Sequence, residues 1–207
     1  WFSLRIKDDQ NNLADSSEAK QWLEDTTNVI LSEIAAPSVA FSSHIHEYYL
    51  SLCSIGTACI FIGDPVNREG VSFRAIHIEE IFIAENADGI IDTVFRSFEM
   101  TVRQIVQKWG EKSLSPRIAK MYEKKDYDKQ VQLLHCVYPR EDMDKGKKAA
   151  TMLPVASVYI DEKDKHVLAE GGFNEMPYMV SRWSKAVGEV FGRSPAMTAL
   201  PDIKMLQ

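Results

Sequence analysis

The stretch ACIFIGDPVNREGVSFRAIH (58–77) marks the point where the sequence changes from helical to extended character. Its first five residues form an apolar run typical of a buried strand, and VSFRAIH is a second strand candidate. GDPVNREG, between them, contains the Gly, Pro and Asn residues that favour turns. Most of the sequence before this stretch predicts helices, whereas the segments after it predict strands with short helices. The sequence therefore predicts an α+β fold, with N-terminal helices followed by mixed, mainly antiparallel strands.

Two helices are predicted upstream of this stretch. The first opens with a capping pattern, Asp15 followed three residues later by Glu18, and closes at Pro37. The second begins near Ser38 and ends at Gly56. The predicted apolar side of the first helix consists of Trp22, Leu23, Ile30 and Ile34, and that of the second consists of Phe41, Ile45, Tyr48 and Leu52. WFSLRIK at the start of the sequence alternates and predicts a strand.

Downstream, IFIAE predicts a strand, and ENADG predicts a tight turn, with Gly89 at positive φ, that leads into IIDTVFRSFEM. Thr101 and Gln104 form a capping box for a helix that runs through Trp109 and stops at Gly110. Ser115 and Pro116 start another short helix. The remaining predicted strands are QVQLLHCVYP, ASVYI, HVLAEGGF and PYMVSRW, with REDMDKGKKAATML as a polar loop and DEKDK as a hairpin connection.

The composition is that of an ordinary globular protein, with 45% apolar and 26% charged residues among 207. The longest strongly apolar run, CSIGTACIFIG, is about half the ~20 residues that a membrane-spanning helix needs, so no membrane partner is predicted. Cys53, Cys59 and Cys136 are an odd number without close pairing, which favours a reducing compartment. We expect all three to be small core residues.

The charge is distributed unevenly along the sequence. The formal net charge of −6 argues against a free-standing nucleic-acid binder, which needs clustered Lys and Arg. Residues 1–100 carry 6 basic and 16 acidic side chains, whereas residues 101–207 carry 18 basic and 14 acidic ones. This asymmetry has two interpretations. The charges form ordinary solvated faces, or an acidic face of one copy meets a basic face of the next in a head-to-tail assembly.

No catalytic, cofactor or metal site is predicted from the motifs. His44 and His46 would point about 200° apart on a helix, so they do not share an ion in the way that residues four apart can. GRSPA lacks the second glycine of the G-x-S-x-G nucleophile motif, and Ser194 is better explained as a helix cap. His135 and Cys136 are adjacent in a strand and face opposite sides. A metal-dependent hydrolase using some of the five histidines remains an alternative.

A set of longer strings resembles one viral family. In order, they are GTACIFI, IAENADGIIDTVFRSFEMTVRQIVQKWG, HCVYPRED, ASVYIDE and EGGFNEMPYMVSRWSKAVGEVFGRSPAMTALPDIKML. They resemble the head-to-tail connector, or portal, proteins of short-tailed phages, over most of residues 40 to 207. Where the family often has tyrosine before GRSP, this chain has Phe191.

The resemblance implies a structural, non-enzymatic subunit of a ring, typically of twelve copies, in the virion and in the host cytoplasm during assembly. Double-stranded DNA passes through such a ring, and terminase, capsid and tail adaptor proteins are its implied partners. Residues 1–190 would form a portal wing-like domain, and residues 191–207 would start a helix leading toward the stem. We expect Arg182, Arg193 and Ser194 to lie at subunit or wing-to-stem contacts, with buried Trp183 and ordinary surface arginines as the alternative. A capsid adaptor or scaffold is the alternative function.

Overall fold

The protein is described by a computed structural model that covers residues 2–6, 16–66, 69–141 and 153–206. Its α-helices are α1 (Ser17–Ala35), α2 (Phe41–Ser54), α3 (Val102–Trp109), α4 (Pro116–Glu123) and α5 (Pro195–Met205). Its strands are β1 (Thr57–Gly63), β2 (Ser72–Ile76), β3 (Ile81–Glu85), β4 (Ile91–Thr101), β5 (Gln130–Pro139), β6 (Val155–Asp161), β7 (His166–Phe173) and β8 (Tyr178–Arg182). Short 3-10 turns at Ile78–Glu80 and Glu111–Ser113 complete the described elements.

The strands form two antiparallel sheets. The small sheet has the order β2-β1-β8, and the large sheet has the order β3-β4-β5-β6-β7. Each pair of neighbouring strands is antiparallel. The predicted α+β class is confirmed. Because β8 returns to pair with β1, the end of the chain is brought back beside the N-terminal helices.

One face of the large sheet, its inner face, carries most of the core. Helices α3 and α4 cover one part of this face, and the small sheet covers another. Helix α2 packs on the opposite face of the small sheet, against Ala58 and Ile60. The cluster under α3 and α4 comprises Phe98, Val102, Ile105, Ile118, Val131, Leu133 and Leu168. The cluster between the sheets comprises Cys59, Ile76, Ile81, Val94, Val137 and Tyr178. The alternation of side chains along each strand produces this layering.

A buried histidine links the two sheets. The ring of His135 in β5 lies within hydrogen-bond distance of the Tyr178 hydroxyl (2.7 Å) and the Ser157 hydroxyl (2.9 Å), and it stacks on Tyr159 at 3.8 Å. Burial, with a smaller contribution from the charges of Lys108 and Arg96, lowers the pKa of His135 to about 3. The imidazole is therefore neutral at pH 7 and has a structural role.

The local predictions near the short helices are confirmed. The Thr101 hydroxyl accepts a hydrogen bond from the Gln104 amide (3.3 Å), and the Gln104 side chain accepts one from the Thr101 amide (2.9 Å). Gly110, at φ 77°, ends α3, and Gly89, at φ 76°, occupies the predicted turn position. The Ser115 hydroxyl caps α4 by accepting from the Ile118 amide at 3.3 Å.

Three predictions in the N-terminal part were wrong. Residues 2–6 form no strand, and the amide of Leu4 instead donates to the hydroxyl of Thr27 at 3.2 Å. Trp22 is 65% exposed, because the side of α1 that contacts neighbours is the one carrying Leu23 and Thr27. Cys53 is exposed, whereas the other two cysteines are buried as predicted.

Two further predictions concern residues outside the described part of the chain. The first is the cap predicted at Asp15. The described helix begins at Ser17, and the residue before it, Ser16, makes no side-chain cap hydrogen bond. Most of the predicted polar loop, residues 142–152, is the other.

Candidate functional site

The residues singled out by the resemblance meet where α2, β1, β8 and the start of α5 converge. We call this place the junction and define it by Gly56, Trp183, Gly192, Arg193 and Ser194. The Trp183 amide donates to the Gly56 carbonyl at 2.9 Å. The Gly192 amide donates to the Thr57 hydroxyl at 2.8 Å. Segments far apart in sequence are thus joined by one backbone–backbone hydrogen bond and one from a backbone amide to a side-chain hydroxyl.

Glycine is required at both contact points of the junction. Gly56 has φ 91°, a conformation that favours glycine, and a Cβ there would lie 2.4 Å from the carbonyl carbon of Arg193. A Cβ on Gly192 would lie 2.3 Å from the Gly56 carbonyl oxygen. Both distances are far below a normal van der Waals contact, so the two chain segments approach each other only because neither carries a side chain.

Ser194 ties the last helix to α2. It is 1% exposed, and its hydroxyl donates to the carbonyl of Ser54 at 2.7 Å while accepting from the Met197 amide at 3.0 Å. The same oxygen therefore caps α5 and fixes the end of α2. The predicted helix start at Ser194 and Pro195 is confirmed. The helix continues past Pro201 to Met205.

Arg182 connects the small sheet to the large sheet. Its guanidinium donates to the Glu85 carboxylate, to the Gly89 carbonyl at 3.2 Å and to the Val190 carbonyl at 3.1 Å. Lys185 adds hydrogen bonds of 2.5 and 2.6 Å to the two Glu85 oxygens. The hydrogen bonds from Lys185 and Arg182 lower the pKa of Glu85. This carboxylate therefore stays ionised and holds β8 beside the β3–β4 turn.

Arg193 forms a two-point ion pair with Glu189. The distances from its Nε and terminal nitrogen to the carboxylate oxygens are 2.9 and 2.5 Å. The hydrogen bonds from Arg193 lower the pKa of Glu189. Both side chains are exposed, and exposed pairs contribute little to stability. The Arg193 amide also donates to the Ser184 carbonyl at 2.7 Å, which closes the loop between β8 and α5.

The structure thus brings Arg182, Arg193 and Ser194 together, and it pairs both arginines with carboxylates of the same chain. A role at subunit or stem contacts stays a prediction. Trp183 is 55% exposed, so the alternative that it belongs to the core was wrong. Sequence reasoning missed Gly192 and Glu85. Gly192 carried no local signal, since its contact with Gly56 depends on how distant segments are placed.

Helix α5 leaves the junction with an uncovered apolar side. Met197, Leu200 and Ile203 are each about half exposed, and no described residue of the helix is buried. These three residues are spaced by three along the helix, so they lie on neighbouring turns of one face. The helix is held firmly at its first turn and is open to a partner beyond it.

Clusters suited to metal chemistry do not occur among the described residues, where no group of three His, Cys, Asp or Glu residues could hold an ion. The Nδ1 atom of His44 lies 3.4 Å from the Ala75 amide and 3.7 Å from a carboxylate oxygen of Glu47. The Nδ1 atom of His77 accepts from the Glu79 amide at 3.3 Å. None of the helices within the described ranges combines the length and hydropathy needed to cross a membrane.

Comparison with known proteins identifies the class. The chain belongs to the family of bacteriophage head to tail connecting proteins, whose family model matches residues 1–207. The chain is 31% identical over 211 residues to a portal protein of Salmonella phage epsilon15. It is 28% identical over 209 residues to a probable portal protein of Bordetella phage BPP-1. Both matches cover the whole chain but 37% of the relative, so the chain spans little more than a third of their length. The predicted family is confirmed.

Proposed function

We propose that this chain is the wing-containing part of a portal subunit, and that copies of it form the ring through which double-stranded DNA enters and leaves the capsid. The observation that carries the proposal is the match of the whole chain to the connector family and to relatives named portal proteins. Its work is mechanical. It holds the central helices apart, presents a surface to the neighbouring subunit and contacts the shell.

The geometry of the junction supports a division at about residue 190. Residues 1–190 contain both sheets and their core, and residues 191–207 contain α5. The glycine contact and the Ser194 hydroxyl fix the direction in which α5 leaves the sheets. We assign α5 to the beginning of the path toward the stem, where its apolar side packs on further segments of the portal.

The partners follow from the same proposal. Identical subunits form the ring, with twelve as the expected number, and terminase, capsid and tail adaptor proteins bind to it in the virion or during assembly in the host cytoplasm. The DNA passes without being gripped. A net charge of −6 offers few counterion-releasing contacts, and at ~0.15 M salt charges act over only about 8 Å. We assign no bond-making or bond-breaking step to this chain.

Two experiments test this function. Negative-stain electron microscopy of the full-length protein should show closed rings with an axial channel, whereas particles that never close into rings would count against the portal. A band-shift titration of the 207-residue chain with duplex DNA at 0.15 M salt should show no binding at micromolar protein. A shift at that concentration would contradict the passive role of the wing. The same titration at low salt serves as the control for non-specific attraction.

A further inference from the structure

The outer face of the large sheet, opposite its inner face, is apolar and uncovered by the described elements. Cross-strand pairing places Phe82, Phe95, Cys136 and Val158 in one row, which ends at Glu170 on β7. A neighbouring row begins at Ser97 on β4 and continues through Leu134, Ile160 and Val167. Phe82 is 61% exposed and Val167 is 48% exposed. Helices α3 and α4 and the small sheet all pack on the inner face, so none of them covers these rows.

Such a face is unusual for an antiparallel sheet in contact with water. A solvated face normally alternates to polar residues, whereas here an apolar band spans the middle of the sheet, with Ser97 at one end of the second row and Glu170 at the end of the first. Contiguous apolar patches of this kind mark contact surfaces on soluble proteins. The outer face therefore needs a partner.

The same chain carries a second exposed apolar element on its other side. Trp22 and Val29 of α1 are 65% and 61% exposed. They are seven residues apart, which places them on the same side of the helix two turns apart. Asp25 lies between them on that side and is exposed. Helix α1 contacts α2, which packs on the face of the small sheet that points away from the large sheet. The α1 stripe and the outer face thus lie at opposite ends of the layered structure.

We propose that the outer face of the large sheet binds α1 of a neighbouring copy of this chain. The proposal rests on the ring that the proposed function assigns to the protein. A ring built from identical subunits needs two different complementary surfaces on opposite sides of each subunit. The stripe and the outer face meet that requirement, and a helix lying on an apolar sheet face is a common packing arrangement. Trp22 supplies the large aromatic anchor that such interfaces use.

Site-directed cross-linking in the full-length protein tests the pairing. The background carries Cys53→Ser and Cys136→Ala, which remove the exposed thiol and the thiol of the outer face. Asp25→Cys labels α1, and Ala84→Cys labels the exposed edge strand β3 on the side of Phe82. A mixture of the two single variants, treated with a short bismaleimide, should give cross-linked dimers, and a variant carrying both changes should give a ladder of higher oligomers.

The outcomes separate the possible partners of the outer face. Cross-linking of the Ala84→Cys variant with itself would show that the face pairs with its own copy and would overturn the proposal. Normal rings without mixed cross-links would also overturn it, and would assign the face to another segment or to the capsid. Failure of the unmodified protein to form rings would instead refute the proposed function, and this inference with it.

A substitution in the outer face gives an independent readout. Phe95→Asp should lower the fraction of subunits in rings at least about tenfold, because it places a charge in a dry apolar contact. Met179→Asp is the matched control, since Met179 is 55% exposed on the other side of the small sheet. Circular dichroism establishes that both variants fold. Equal ring formation by the two folded variants would overturn the proposal.

Discussion

The glycine contact at the junction leads to a sharp stability prediction. Replacing Gly192 by Ala places a Cβ 2.3 Å from the Gly56 carbonyl oxygen and 2.9 Å from the Cβ of Arg182. To relieve the first clash, the Cβ and the Gly56 carbonyl oxygen must move about 1 Å further apart. Overpacked contacts of this kind are relieved by shifts of the backbone. The hydrogen bonds from Trp183 to Gly56 and from Gly192 to Thr57 then weaken or break.

The expected cost is about 3–5 kcal/mol. Overpacking contributes ~1–3 kcal/mol and the two hydrogen bonds ~1 kcal/mol each. The free energy of unfolding falls by about 2 kcal/mol for each molar increase in urea, so the unfolding midpoint of the Gly192→Ala chain should drop by roughly 1.5–2.5 M urea. The assay is equilibrium urea unfolding followed by tryptophan fluorescence.

Gly171→Ala is the matched control for this substitution. Gly171 lies in β7, and an added Cβ meets nothing within 4 Å. The free energy of unfolding should rise by less than about 1 kcal/mol, because alanine reduces the conformational entropy of the unfolded chain. If the Gly192→Ala and Gly171→Ala chains unfold at the same urea concentration, the close approach at the junction is absent and the reasoning about α5 fails.

Three further predictions concern buried groups. Burial lowers the pKa of His135 to about 3, so the neutral imidazole contributes its full stabilisation above pH 6.5, the usual pKa of histidine. Below that pH, the free energy of unfolding should fall by up to ~1.4 kcal/mol per pH unit as the unfolded chain takes up the proton. His135→Gln should flatten this pH dependence in urea titrations between pH 7 and 4. Asp161→Asn should cost about 2–3 kcal/mol in urea unfolding, because this fully buried carboxylate accepts hydrogen bonds from a serine and an arginine; an unchanged midpoint would show that the network is not formed. Cys53 should react with a thiol reagent in the folded protein, whereas Cys59, whose pKa burial raises to about 12, and Cys136 should react only after unfolding, so rapid modification of all three would contradict the packing.

The elements that the sequence predicts well are those determined by neighbours in the chain. The capping box of Thr101 and Gln104, the stop at Gly110 and the cap at Ser115 depend on residues within a few positions of one another. Most strands of the two sheets were predicted from apolar or alternating runs bounded by turn residues. These local signals also determine the α+β class.

The features that the sequence did not predict depend on contacts between distant segments. The pairing of β8 with β1 has no local signature, and it creates the junction around Gly56 and Gly192. Trp22 was assigned to the apolar side of the first helix with Leu23, Ile30 and Ile34, but it is 65% exposed, and the packed side of α1 carries Leu23 and Thr27 instead. The ion pair between Arg182 and Glu85 spans the two sheets, and the periodicity of either strand contains no information about it.

The measurement that tests the central claim most directly is a cryo-electron microscopy map of the assembled full-length protein. The account predicts a closed ring of identical subunits in which both sheets lie at the periphery and α5, fixed at Ser194, runs inward toward a DNA-sized channel. A ring in which α5 points away from the axis, or in which the sheets themselves line the channel, would contradict it.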